Sequence, residues 1–226
     1  MTISFSKGSK RNSYTLDILD TKPYGRPNTY LSSHCLLTAL SFYNIAQFCK
    51  IKSWDNTYTL AEFVYAALHH DDGKSHPMWQ KWFTKNKGEK EVDFSNYKDH
   101  ADSKQYDTSL HQNELEYLRN ANIEVSVNQE LAKWAIQNHH PHKAVDAMSL
   151  RTERTMLILA DHLSASIESM ETKEEKTVDL YKDILVASDH RFGNVFSFYR
   201  PDFSECIKGI KITINVHTNV SGGNVF

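Results

Sequence analysis

Residues 69–74 of the chain read HHDDGK and place two histidines, two aspartates and a lysine within six positions. Imidazole and carboxylate groups are common ligands of divalent transition metals, and both also transfer protons. The segment follows an apolar stretch, so these groups are expected at the end of a buried helix. The crowding predicts a metal site whose further ligands come from other parts of the chain.

Apolar periodicity, capping residues and prolines predict a series of helices that can bring such ligands together. Thr59 and Glu62 form a capping-box pattern, and Pro77 suits the first turn of a helix. Residues 1–30 are interpreted as an irregular lead-in and residues 86–107 as a loop. The predicted helices cover about residues 32–50, 59–70, 77–85, 108–120, 128–140 and 149–170.

Several histidines and acids fall on the inner faces of these helices. A buried, unpaired carboxylate costs several kcal/mol of free energy, so Asp71 and Asp161 need a common explanation, which a shared cation supplies. At any single position a hydrogen-bonded core residue is the commoner explanation, and the joint pattern is what favours a metal site. The inward-facing groups are His34, His70, Asp71, His111, His139, His140 and Asp161.

The other histidines are interpreted as surface or turn residues. His100 is a rival to His111 as a ligand, because the shape of the loop that precedes it is not predicted. Ser164 and Ser166 either orient a ligand or allow close helix packing, and both interpretations stay open. The histidines of this group are His69, His76, His100, His142, His162, His190 and His217.

The order SSH…HHDDGK…LHQNE…NHHP…LADHLSAS resembles the HD superfamily of metal-dependent phosphohydrolases. More narrowly, HDDGKSHPMWQ resembles the HD nuclease domain of the helicase-nuclease effector of type I CRISPR systems. In that family an HDxGK signature precedes an aromatic-Gln pair, here Trp79-Gln80. The paired histidines and the segment from Ala160-Asp161 to Ser166 also match. The resemblance covers about residues 5–170.

The resemblance implies a mainly α fold, an HD-domain helical bundle that binds one or two divalent metal ions. The first ion would be held by His34, His70, Asp71 and Asp161, and the second by His111, His139 and His140, with Asp71 able to bridge. Asp71 and Lys74 would be catalytic, with Lys74 stabilising charge on a phosphate. A surface lysine is the alternative for Lys74. A site this rich in imidazole favours Mn²⁺, Ni²⁺, Co²⁺, Fe²⁺ or Zn²⁺, with Mg²⁺ as a further candidate.

The implied function is metal-dependent cleavage of phosphodiester bonds in single-stranded DNA during CRISPR interference. The sequence has no G-x-x-x-x-G-K-[ST] loop. The expected helicase is therefore either a separate subunit or part of a longer chain from which this domain is detached, and the CRISPR surveillance complex is the other expected partner. Two alternatives stay open: hydrolysis of nucleotides or cyclic (oligo)nucleotides, and a non-catalytic adaptor that keeps the fold. In residues 74–90, aromatic side chains between lysines either stack on bases or pack into the core.

Composition restricts the functional classes further. The chain has 226 residues and a formal net charge of -2, so a nucleic acid would have to be held by a local patch or by metal ions. Cys35, Cys49 and Cys206 form no close pair, which predicts free thiols and a cytoplasmic location. Neither a signal peptide nor a membrane span is expected.

The character of the sequence changes after residue 175. Residues 1–175 are predicted to form the helical metal-binding domain, and residues 176–226 a small C-terminal β appendage. Runs of β-branched and aromatic residues predict strands at about residues 183–188, 194–199 and 207–216.

Overall fold

The computed structural model describes residues 1–16, 23–26, 29–50, 57–87, 106–140, 150–168, 175–187 and 201–215. The described part is mainly helical with a small antiparallel sheet, which confirms the predicted mainly α class. None of the described helices combines the length and the apolar character needed to cross a membrane. Cys35, Cys49 and Cys206 are free thiols.

A helical bundle forms around one central helix. The helices of the bundle are α1 (Leu31–Cys49), α2 (Leu60–His69), α3 (Pro77–Lys85), α4 (Gln112–Asn120), α5 (Gln129–Asn138) and α6 (Arg151–Glu168). Helix α1 packs against both α2 and α6, and α2 also packs against α5. Because α1 is apolar or small nearly all round, it is buried on most of its surface, as its sequence predicts.

The ends of α2 and α3 fix the position of the HHDDGK segment. The predicted capping box starts α2: Thr59 Oγ1 accepts from the Glu62 backbone N–H at 3.3 Å, and Glu62 Oε2 accepts from the Thr59 N–H at 2.7 Å. Pro77 occupies the first turn of α3. Between the two helices lies a 3₁₀ turn at Asp72–Ser75. The titratable segment therefore spans the end of α2 and a tight turn rather than a loose loop.

A four-stranded antiparallel sheet joins the two ends of the chain. Its strands, in the spatial order β2-β1-β6-β5, are β1 (Thr2–Lys7), β2 (Lys10–Thr15), β5 (Lys176–Asp179) and β6 (Ile210–Asn215), and a separate ribbon is formed by β3 (Tyr24–Arg26) and β4 (Thr29–Tyr30). Phe5 of β1 lies opposite Ile212 of β6, and both are fully buried. The C-terminal β segment thus shares one sheet with the N-terminus, and the division of the chain at residue 175 stays a prediction.

Two predictions about β structure are wrong. The predicted irregular lead-in at residues 1–30 contains β1 and β2, and the consecutive buried residues Ile3, Ser4 and Phe5 of β1 pair with β6. The predicted strand at 183–188 falls mostly in a π-helical turn, Leu180–Val186. The side chain of Asp179 caps that turn, because its Oδ1 accepts hydrogen bonds from the backbone N–H groups of Tyr181 and Lys182. This local cap overrides the β propensity of the apolar run.

The other two predicted strands have different outcomes. The strand predicted at 207–216 is confirmed as β6, which begins later because helix α7 (Pro201–Ile207) precedes it. The strand predicted at 194–199 lies outside the described residues.

The aromatic side chains of α3 belong to the protein interior. Trp79, Trp82 and Phe83 pack together with Tyr24, and each is at most 7% exposed. Lys81 of the same helix faces solvent. Of the two interpretations of this segment, the structure shows core packing of the aromatics and leaves Lys81 and Lys85 on the surface.

The capping box makes a prediction about stability. Thr59→Ala removes the acceptor for the Glu62 N–H and is expected to lower the free energy of unfolding by about 1 kcal/mol, whereas Thr59→Ser keeps the acceptor. Urea unfolding followed by circular dichroism measures both variants. Equal losses in the alanine and serine variants would show that the hydroxyl cap does not stabilise α2.

Candidate metal centre

Side chains from separate helical segments meet at one buried point, here called the primary centre. His34 comes from α1, His70 and Asp71 follow α2, His139 follows α5, and Asp161 lies on α6. His34, His70, Asp71 and His139 are at most 1% exposed, and the Asp161 side chain is 16% exposed. Of these residues, His34, His70 and Asp71 offer donor atoms that lie within 4.8 Å of one another and could hold a metal ion.

The distances between donor atoms are those of a ligand shell. His34 Nε2 lies 3.3 Å from Asp71 Oδ2 and 3.0 Å from Asp161 Oδ1. His70 Nε2 lies 3.6 and 3.8 Å from the same two oxygens. His139 Nε2 is 3.3 Å from Asp71 Oδ1. Ligand atoms held about 2.1 Å from one cation lie roughly 3.0–3.4 Å apart, so the cluster needs little adjustment to surround an ion.

His70 and His139 follow α2 and α5 and make the same kind of contact with the helix end. Each occupies the C-cap position and folds its ring back onto a carbonyl three residues earlier. His70 Nδ1 lies 2.8 Å from Ala67 O, and His139 Nδ1 lies 2.9 Å from Ile136 O. A carbonyl only accepts, so Nδ1 carries the proton, and Nε2 of the neutral ring presents a lone pair to the cluster. The contact also satisfies a carbonyl that the helix end leaves unpaired.

A carboxylate orients the third histidine. His34 Nδ1 lies 3.1 Å from Glu168 Oε2 on α6. A carboxylate behind a ligating imidazole fixes its ring orientation and raises its basicity, which is a common arrangement in metal sites. Glu168 is not among the residues that the sequence predicts for this site. It lies seven residues after Asp161, two helical turns along the same face of α6, and that spacing was the available signal.

The Nε2 atoms of His34 and His70 are not satisfied by ordinary hydrogen bonds. Both are buried, and within the described residues neither has a partner of normal hydrogen-bond geometry, although carboxylate oxygens are close. A lone pair that faces a carboxylate requires positive charge between them, either a proton or a cation. The orphaned nitrogens therefore fit a metal ion on chemical grounds.

The same proximity shifts the pKa values of the metal-free groups. Burial lowers the pKa of His70, but Asp71 and Asp161 outweigh it and raise that pKa to about 10. Burial also lowers the pKa of His34, which Glu168, Asp161 and Asp71 together raise well above its ordinary value. Without metal, protons therefore occupy the positions that a cation would take.

The end of α5 is tied to α6 by an arginine. Arg154 donates from Nε to Asn138 O at 2.8 Å and from Nη2 to His140 O at 2.7 Å. The His140 ring lies against the His139 ring, with centroids 4.1 Å apart. Arg154 thus holds the turn that carries both histidines against the helix that carries Asp161.

Lys74 forms the exposed edge of the primary centre. Its Nζ donates to Asp71 Oδ2, and its side chain is 13% exposed. Gln80 donates from Nε2 to Lys74 O at 2.7 Å and exchanges two hydrogen bonds of 2.8 Å with the backbone of Tyr24. The glutamine next to Trp79 therefore fixes the turn that carries Lys74 to strand β3.

His111 does not join the primary centre. Its Nε2 lies 3.1 Å from Asp72 Oδ1, and His69 Nδ1 lies 2.8 Å from Asp72 Oδ2. We call His69, Asp72 and His111 the Asp72 cluster. The interpretation of His69 as a surface or turn residue is wrong, because its side chain is completely buried. The i, i+3 spacing of His69 and Asp72 was the signal that the sequence offered.

The structure therefore groups part of the predicted ligand set. It brings together His34, His70, Asp71, His139 and Asp161. His140 contacts the group through the ring of His139, His111 lies with Asp72, and His100 lies outside the described residues. Ser164 and Ser166 donate to carbonyls of α6 itself. That all seven residues bind metal stays a prediction.

Comparisons of the chain with models of known families, with curated proteins and with solved structures find no significant match. The support for a metal site at the primary centre is therefore its geometry. The resemblance to the HD superfamily stays a prediction from the order of the motifs.

The pKa shifts predict opposite pH dependences for the metal-free and metal-bound protein. Folded His34 and His70 hold protons that the unfolded chain releases above about pH 6.5, the ordinary imidazole value. Their contribution is complete below that pH and is lost as the pH rises towards the folded value of about 10 for His70. Metal must displace these protons, so its affinity rises over the same range.

Thermal unfolding of chelator-treated protein at several pH values between these limits, with and without Mn²⁺, measures both effects. The melting temperature of the metal-free protein should fall with pH, while the increase caused by Mn²⁺ should grow. A metal-induced increase that is the same at every pH would contradict the assignment of protons and metal to the same positions.

Glu168 is predicted to support the centre without binding the ion. Glu168→Gln keeps the shape of the side chain but removes its charge, and is expected to weaken metal binding by roughly 10-fold or more. Competition with a chelating indicator measures the affinity. Glu130→Gln is the matched control, since Glu130 is 82% exposed on α5. Unchanged affinity in Glu168→Gln would exclude the proposed orienting contact.

Proposed function

We propose that this chain is a metal-dependent nuclease that cleaves phosphodiester bonds of single-stranded DNA in CRISPR interference, working with a separate or detached helicase. The observation that carries the proposal is the convergence of three imidazole Nε2 atoms, from His34, His70 and His139, on the carboxylates of Asp71 and Asp161. Three buried imidazole nitrogens and the oxygens of two carboxylates favour Mn²⁺, Ni²⁺, Co²⁺, Fe²⁺ or Zn²⁺.

A bound divalent ion supplies Lewis acidity towards a phosphoryl oxygen and makes bound water more acidic. The residues of the chain provide the geometry. The three histidines hold their Nε2 atoms in place through Nδ1 contacts, and Asp71 faces both His34 and His139. Asp161 is partly exposed and marks the side from which a substrate would approach.

Lys74 is also partly exposed, next to Asp71, and its backbone is fixed by Gln80. Its ammonium group pairs with Asp71 and reaches solvent, so a phosphate oxygen can share it without a large rearrangement. Charge that develops on the phosphoryl oxygens during cleavage is stabilised by a cation already positioned there. This role agrees with the place of Lys74 in the HDxGK motif.

An open surface groove beside this edge supports a polymeric substrate. Tyr24, Gln80, Lys81, Thr84 and Lys85 line the groove, and the two lysines are exposed. Gln80 connects it to the turn of Lys74 through a hydrogen bond. Because the whole chain has a net charge of -2, a local basic surface is what a polyanion requires. An open groove suits a strand better than a single nucleotide.

The test uses chelator-treated protein reloaded with each candidate metal and assayed on single-stranded DNA, duplex DNA, RNA and a cyclic dinucleotide. Single-stranded DNA should be degraded. Asp71→Asn should abolish the activity, and Lys74→Ala should lower kcat by about 100-fold, the usual cost of losing one charge-stabilising donor. Lys133→Ala is the matched control, since Lys133 is exposed on α5 and pairs only weakly with Glu130.

The substrates separate the alternatives. Hydrolysis of the cyclic dinucleotide with intact single-stranded DNA would replace the nuclease by a nucleotide phosphodiesterase. Metal-loaded protein that hydrolyses none of the substrates, in the presence or absence of a helicase partner, would contradict the proposal and favour an adaptor.

A further inference from the structure

The side chains of the HHDD segment lie in two different clusters, the primary centre and the Asp72 cluster. His70 and Asp71 enter the primary centre, whereas the flanking His69 and Asp72 meet each other on the other side of the turn. His69 ends α2, and Asp72 begins the 3₁₀ turn, so their i, i+3 spacing brings them together. The dense run of titratable residues therefore serves two clusters.

The Asp72 cluster has the composition and spacing of a metal site. Asp72 Oδ2 is 2.8 Å from His69 Nδ1, and Asp72 Oδ1 is 3.1 Å from His111 Nε2. One donor atom from each residue lies within 4.8 Å of the others. All three side chains are at most 3% exposed. The geometry matches donors that surround a small cation.

His111 lies between two carboxylates. Asp72 faces its Nε2, and Glu114 Oε2 lies 3.7 Å from its Nδ1. A neutral imidazole has one N–H and one lone pair, so it cannot donate to carboxylates on both sides. A cation between His111 Nε2 and Asp72 Oδ1 would leave Nδ1 to carry the ring proton on the side of Glu114. A carboxylate behind the ring, as Glu114 is here, is the usual companion of a metal-binding histidine.

The ring of His69 is fixed by its neighbours. Its Nε2 is buried without a hydrogen-bond partner among the described residues. The ring packs instead on Tyr65 and Tyr106, with centroids 4.5 and 5.2 Å away. The buried ring is held with Nδ1 towards Asp72 Oδ2, so Nδ1 is the atom of His69 that would bind a cation.

We propose that His69, Asp72 and His111 bind a second divalent transition metal ion of the Zn²⁺ type, at a site separate from the primary centre. Cys35 is buried and interacts with both His111 and His70, so a soft donor is available close to this site. Because the donors are inaccessible to solvent, the ion joins α2 and the 3₁₀ turn to the start of α4 and does not meet substrate. The proposal does not depend on the proposed nuclease activity.

The test counts metal ions per chain. Chelator-treated protein is reloaded with Zn²⁺ or Co²⁺, freed of weakly bound metal by gel filtration and analysed by mass spectrometry for metal content. Asp72→Asn, which is nearly isosteric, should lose one equivalent relative to the unsubstituted chain. The double variant His34→Gln, Asp71→Asn should lose the primary ion and retain the other. Glu130→Gln, on exposed α5 surface, should bind as much metal as the unsubstituted chain.

Equal metal content in Asp72→Asn and the unsubstituted chain would overturn the proposal and leave a protonated hydrogen-bond network at Asp72. If Asp72→Asn does not fold, the double variant decides: an equivalent of metal retained there supports the second site, and none overturns it. No substrate is present in these measurements, so their result is separate from the outcome of the nuclease assays.

Discussion

The structure depends on the positive charge that Asp71 and Asp161 require inside a helical bundle. Asp71 is 1% exposed, and three imidazoles face the two carboxylates at 3.0–3.8 Å. Removing such charges from water is costly unless opposite charge replaces the lost hydration. In the metal-free chain, protons on His34 and His70 and the ammonium group of Lys74 provide it, and a divalent cation would provide it more compactly. The candidate chemistry and the pH behaviour both follow from this constraint.

The bundle satisfies this constraint by using helix ends. His70 and His139 each sit at a C-cap, where the backbone leaves carbonyls without partners. Each ring satisfies one of those carbonyls through Nδ1 and thereby aims Nε2 at the carboxylates. The central helix α1 supplies His34 from a buried face, and α6 supplies both Asp161 and the orienting Glu168. The same Nδ1 contact therefore satisfies the helix end and orients the ligand nitrogen.

The sequence predicted the primary centre better than it predicted the rest of the molecule. His34, His70, Asp71, His139 and Asp161 could be found because each continues an apolar helical stripe, so 3.6-residue periodicity places it inward. His111 was also correctly predicted to be buried, but periodicity does not specify which partner a buried residue meets. Its left-handed backbone, with a φ of 66°, turns the ring towards Asp72 before α4 begins.

Other features depend on contacts that are distant in sequence. Strand β1 is stabilised by pairing with β6, more than 200 residues later, so residues 1–30 look irregular when considered alone. The π-helical turn at Leu180–Val186 reflects packing and a side-chain cap, which outweigh the propensity of its apolar residues. His69 was missed because it was considered as one of a histidine pair, whereas its partner is Asp72, three positions later.

X-ray diffraction from crystals soaked in Mn²⁺, with data collected at the manganese absorption edge, tests the central claim most directly. An anomalous peak should lie about 2.0–2.3 Å from Nε2 of His34 and His70 and from a carboxylate oxygen of Asp71. A crystal in which these atoms keep their places, with no anomalous peak between them at saturating Mn²⁺, would contradict the claim that the buried carboxylates are arranged to hold a metal ion.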